Sequence, residues 1–133
     1  MRDLRQMAWP FFEPTHRQLK TDLVDWATTH LQANHSDASD VDAQCQALVR
    51  QLGQAGWLRH AIGGKTYGGL NDSIDTRSIC LLREELAWHH GLADFAFAMQ
   101  GLGSGAISLA GTPAQKANYL PRVARGEAIA AFA

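Results

Sequence analysis

The stretch LADFAFAMQGLGSGAISLAG, Leu92 to Gly111, decides the fold. Asp94, Gln100, Ser104 and Ser108 are its only interruptions; every other residue is small or apolar. A helix that is apolar on every side has to be enclosed, by protein or by lipid. A membrane span needs about 20 predominantly apolar residues. This run reaches that length only through weakly hydrophobic Ala and Gly, with Asp94 and Gln100 inside it. Burial within a soluble helical bundle is the expectation, with amphipathic helices wrapped around a central one.

Two glycine patterns complicate that stretch. Gly101-Leu-Gly103-Ser-Gly-Ala106 fits the permissive dinucleotide fingerprint, in which glycines admit pyrophosphate to a helix start. No hydrophobic strand-helix-strand unit accompanies it, and Gly111 with Thr112 closes the segment too soon. The same residues contain Gly101-xxx-Gly105, a close-packing face, and the packing reading is preferred.

Downstream, Thr112-Pro113-Ala114-Gln115 is a helix start: Thr as cap, Pro at the first helical position, Gln reaching back. Tyr119 and Leu120 are expected to point inward, Pro121 to kink or restart the helix, and Gly126 to end it. The run AIAAFA at 128–133 reads as a helix tail or, after the Gly126 break, the first strand of a β-domain that is missing.

Upstream, Leu19, Leu23, Trp26, Ala27 and Leu31 recur at helical spacing, as do Val41, Cys45, Leu48, Val49 and Leu52. The polar segment NHSDASD at 34–40 separates them, with Ser39 and Asp42 resembling a capping box. Residues 57–74 cluster glycines without a period and read as a loop. Asp72, Ser73 or Asp75 then caps a helix carrying Ile79, Leu82 and Leu86, which ends at Gly91. The expectation is an all-α bundle of about five helices (14–33, 40–56, 74–90, 92–110 and 112–125) in one domain, 1–133.

Composition agrees with that class. The chain has 133 residues, 46% hydrophobic and 19% charged, as in an ordinary globular domain. A formal net charge of −1 leaves no basic footprint for nucleic acid or anionic lipid. Cys45 and Cys80 sit in helical patterns and suggest no disulfide, and a reducing, cytoplasmic setting fits. The amino-terminal MRDLRQMAWPFFEP lacks the long apolar core of a signal peptide.

Other candidate chemistry is weaker. Gly63-Gly64-Lys65-Thr66 resembles the end of a P-loop, but Arg59 stands where the first Gly is required, so a flexible loop is expected. His89-His90 offers too few ligands for a metal, and adjacent helical residues diverge. Two solvated histidines are expected there. Glu84-Glu85 diverge in the same way, one solvated and the other paired with His89 or a neighbouring helix.

Beyond these readings, REELAW at 83–88, LGSGAISLAG at 102–111 and QKANYLPRVARGEAIAAFA at 115–133, in this order and spacing, resemble an acyl-CoA dehydrogenase. YGGL at 67–70 is similar to that family's loop before its next long helix, although Gly64-Lys65-Thr66 replaces the usual Pro-Glu-Glu. The resemblance implies the amino-terminal helical domain of an FAD-dependent flavoenzyme that desaturates an acyl-CoA thioester, with a β-domain and a carboxy-terminal α-domain as its missing partners, and a homo-oligomeric assembly. It implies that Phe95, Ala98, Met99 and Leu102 line the acyl pocket, and that Phe132 begins a flavin-contacting segment. The family's catalytic glutamate belongs to the missing carboxy-terminal domain, so no catalytic residue and no metal ligand is expected here, and these residues alone are expected neither to hold FAD firmly nor to turn over substrate. The competing readings are a flavin-dependent monooxygenase of the same architecture and a non-catalytic helical interaction domain.

Overall fold

A computed structural model describes residues 5–31 and 40–131 of the chain. The described residues form five α-helices: α1 Pro14–His30, α2 Val41–Gln54, α3 Thr76–His89, α4 Gly91–Ala110 and α5 Pro113–Ala124. Short 3-10 turns cover Arg5–Ala8, Trp57–Ala61 and Lys65–Tyr67, and there is no strand among the described residues. The fold is the all-α bundle expected. α4 lies at its centre and packs against α2, α3, α5 and the Trp57–Ala61 turn, while α1 packs on the outer side of α3.

Local chemistry sets each helix end. At α5, Gln115 N–H donates to Thr112 Oγ1 at 3.2 Å while Gln115 Oε1 accepts from Thr112 N–H at 2.8 Å, the reciprocal capping box. Its far end is a Schellman turn: Gly126 has φ +70°, and the N–H groups of Gly126 and Glu127 reach the carbonyls of Val123 and Arg122. Pro121 neither ends nor restarts the helix, which runs on to Ala124. The bond that Pro121 cannot donate would go to Ala117, which is exposed, so water can serve that carbonyl. Contrary to expectation Tyr119 faces outward, and only Leu120 of that pair is buried.

The other caps are acidic. Asp40 Oδ1 accepts from Ala43 N–H at 2.9 Å and starts α2; Ser39, the expected cap, lies outside the described residues. Asp75 is the cap of α3. A single extended residue, His90, joins α3 to α4, so Gly91 opens α4 instead of closing α3.

Residues 57–74 are more ordered than a flexible glycine loop. Leu58, Ala61 and Ile62 are buried. Gly64 N–H donates to Asn71 and Gly69 N–H to Gly64, closing the loop on itself. A side chain at Gly69 would meet the Ile62 carbonyl at 2.3 Å. Gly63–Thr66 therefore forms a tight turn with no following α-helix to cradle phosphate. Gly101–Ala106 lies inside α4, which removes the dinucleotide reading as well.

The central helix is inverted relative to its sequence. Gln100, Ser104 and Ser108 are buried, whereas Phe95, Leu102 and Leu109 are 55%, 61% and 80% exposed. α4 is thus covered on one face and bare along another flank. Inside, each polar group has a partner: Ser104 Oγ donates to the Gln100 carbonyl at 2.6 Å, and Ser108 Oγ accepts from Gly63 N–H at 3.4 Å. Such pairing offsets desolvation that otherwise costs roughly 1–3 kcal/mol per group. Phe97, 1% exposed, contributes about 2–3 kcal/mol by burial on the same face.

The glycine that permits close packing is not one of the expected pair. A Cβ on Gly105 would meet nothing within 4 Å, and one on Gly101 would touch Ala61 at an ordinary 3.7 Å. One on Gly103 would lie 2.7 Å from the Ala130 Cβ. Residues 128–131 cross α4 at that notch as irregular chain, neither helix nor strand.

Candidate functional site

The exposed flank of α4 is a ridge. Phe95, Leu102 and Leu109 are seven residues apart, so successive members are only about 20° apart around the axis and about 10 Å along it. Met99 and Ala98 fall on opposite sides of this ridge, by the same helical geometry. Its slopes form the walls of two clefts.

The first cleft, about 360 Å³, lies between α2, α4 and residues 129–131. Phe95 and Met99 line it with Cys45, Val49 and Ile129. The second, about 260 Å³, lies between α3, α4 and the loop, with Ala98, Gly101 and Leu102 facing Ile74 and Ile79. The four residues assigned to the acyl pocket therefore share one helix face but divide in pairs between two clefts. Both are predominantly apolar, which suits an alkyl group. Arg83 at the rim of the second is neutralised by a two-point contact with Asp94, 2.9 Å at each oxygen.

No group suited to proton abstraction faces the second cleft among the described residues, and Asp42 is the sole carboxylate lining the first. The adjacent carboxylates Glu84 and Glu85 belong to the opposite side of α3. Glu85, fully buried, sits 2.8 Å from Lys20 Nζ and 3.0 Å from His89 Nε2. Glu84 is partly exposed, 3.3 Å from Lys20 Nζ, and accepts from Gln6. His89 and His90 are half-buried, correcting the expectation that both are solvated, and His90 Nδ1 has no hydrogen-bond partner among the described residues. No cluster of metal-ligating side chains exists among the described residues.

A third, polar depression of about 660 Å³ surrounds the start of α3. Asp75 is its hub. It takes a hydrogen bond from Arg77 N–H at 3.1 Å and from Ser78 Oγ at 3.1 Å, and lies 2.7 Å from His16 Nε2. Because Glu13 N–H donates to His16 Nδ1, the proton of neutral His16 is on Nε2, aimed at Asp75. Burial pushes the Asp75 carboxyl upward, but the bonds from His16, Ser78 and Arg77 outweigh it and hold the pKa down at about 2. His60, on the same depression, is lowered to about 4, chiefly by burial, against the attraction of Asp75. These groups organise the loop and the helix start.

The first cleft by itself does not fit FAD. A dinucleotide needs cationic or N–H donors for its pyrophosphate, and the cleft beside residues 129–131 offers no Lys or Arg. Phe132, the residue assigned to the flavin, lies outside the described residues.

Sequence reasoning missed the wall that residues 129–131 give the first cleft, and the residue that holds it. Gln100 was the signal: a lone amide in an apolar run has to find partners inside.

Residues 13–127 match the family profile described as Acyl-CoA dehydrogenase, N-terminal domain. A search of curated proteins finds no match to the chain. No helix among the described residues is long and apolar enough to cross a membrane.

Proposed function

The chain belongs to the acyl-CoA dehydrogenase family through its N-terminal domain, and from that premise we propose that it supplies the helical wall of an acyl-CoA desaturation site. Residues 1–133 form the amino-terminal α-domain, and the exposed flank of α4 faces the acyl group. Phe95, Ala98, Met99 and Leu102 are the contact residues, and the observation that carries the reading is that they share one face of α4, Phe95 and Leu102 exposed and Ala98 and Met99 partly buried. The catalytic carboxylate and the flavin site come from the β- and carboxy-terminal α-domains, with Phe132 at the junction. Acyl-CoA is the substrate, FAD the electron acceptor within the full-length enzyme, and a homo-oligomer the working assembly. FAD, held by the other domains, would supply the electron-accepting chemistry; the role of this chain is to bind the alkyl portion and exclude water from it.

A chimera tests this. Residues 1–133 replacing the amino-terminal domain of an acyl-CoA dehydrogenase should give a protein whose flavin bleaches anaerobically when a saturated acyl-CoA is added. Ala98→Trp should shift its preference toward shorter acyl groups, since a large ring fills the second cleft. A correctly folded, flavin-loaded chimera that no acyl-CoA bleaches would contradict the proposal.

A further inference from the structure

Gln100 is one of the most deeply buried polar side chains, 1% exposed, and among the described residues its amide bonds to backbone alone. Its Oε1 accepts from Ala130 N–H at 2.8 Å, and its Nε2 donates to the Ala130 carbonyl at 3.4 Å. A side-chain amide that pairs with both backbone groups of one residue imitates a neighbouring β-strand at a single rung. Two further features favour the same register. Gly103, one turn on, has no Cβ and so admits Ala130, and Ser104 bonds back to the Gln100 carbonyl from the next turn of the buried face.

We infer that Gln100 is a positioning residue: with the Gly103 notch it registers residues 128–131 on α4 and so builds one wall of the Phe95–Met99 cleft. The inference deepens the acyl-wall reading, on which its link to substrate rests, while the clamp itself stands on the contacts above. Ala128 N–H donates to the Arg122 carbonyl and Ala130 N–H to Gln100, and chain bound at every second residue gives alternating protection, which no helix tail would give. Ala130 is held at both backbone groups, while Ile129 and Ala131 have no backbone N–H partner among the described residues.

Amide hydrogen exchange by NMR on the 133-residue chain tests the clamp directly. In the wild type, Ala130 should exchange about tenfold or more slowly than Ile129 and Ala131, the equivalent of one hydrogen bond. Gln100→Met, which keeps the bulk and removes both polar partners, should abolish that difference and shift the Met99 methyl resonance. Gly103→Ala should do the same with Gln100 intact, by evicting Ala130. Uniform exchange across residues 129–131 in the wild type would overturn the inference, even if neither variant folds. So would protection of Ala130 that persists in a folded Gln100→Met. A chimera that fails to bleach while Ala130 remains protected would sink the substrate reading and leave the clamp standing.

Discussion

Asp75 satisfies three side chains and a helix start with one carboxylate, so a single substitution there has several consequences. Asp75→Ala should lower stability by about 2 kcal/mol, a lost cap together with a stranded His16, measurable by urea unfolding. The pH dependence follows from the same neighbourhood. His60 has a folded pKa of about 4 against 6.5 unfolded, so the unfolded state takes up its proton first. The stability due to neutral His60 is complete above pH 6.5 and is lost as pH falls toward 4. The contribution of Asp75 goes later, between 3.8 and about 2. Acid unfolding should therefore begin in the first window, and His60→Phe should remove that early loss. Lys20 is buried as well: Lys20→Met leaves the interior Glu85 carboxylate with His89 but without its ammonium partner and should cost about 3–5 kcal/mol. The double variant Lys20→Met with Glu85→Leu should recover most of it in the same urea titration.

Helices were readable because their signals are local. The Thr112–Gln115 box and the Gly126 stop name the ends of α5 from composition alone, and Thr112→Ala should cost about 1 kcal/mol in thermal unfolding. The misreadings that bear on the site were tertiary. Nothing local says that Gly103 meets Ala130 while Gly105 meets nothing, because the difference depends on where residues 128–131 return. Gly105→Ala should accordingly raise stability by about 0.5–1 kcal/mol, the ordinary gain in helix propensity. Gly53→Ala should be severely destabilising, since the new Cβ would lie 2.4 Å from the backbone at Arg125 and force α2 away from the end of α5. Thermal melts of these two variants should move in opposite directions. For the site, Phe95, Ala98, Met99 and Leu102 came from the family resemblance, and helix geometry puts them on one face of α4. Their division between two clefts was not legible, because it needs the positions of α2, α3 and residues 129–131.

Across the whole molecule, α4 buries Gln100, Ser104 and Ser108 beside Phe97 and leaves Phe95, Leu102 and Leu109 exposed on its other flank. Exposed apolar patches on this scale mark binding surfaces. Leu102→Lys with Leu109→Lys should reduce binding of an apolar fluorescent dye and leave the melting temperature nearly unchanged, since both side chains already lie in solvent. The central claim is that this flank faces an acyl group. An acyl-CoA with a photoreactive group at its alkyl terminus, irradiated in the flavin-loaded chimera and mapped by peptide mass spectrometry, tests it most directly. The account predicts labelling concentrated on residues 95–102, suppressed by excess unlabelled acyl-CoA. Competed labelling that falls instead on the polar depression around Asp75 and His60, with residues 95–102 unmarked, would contradict it.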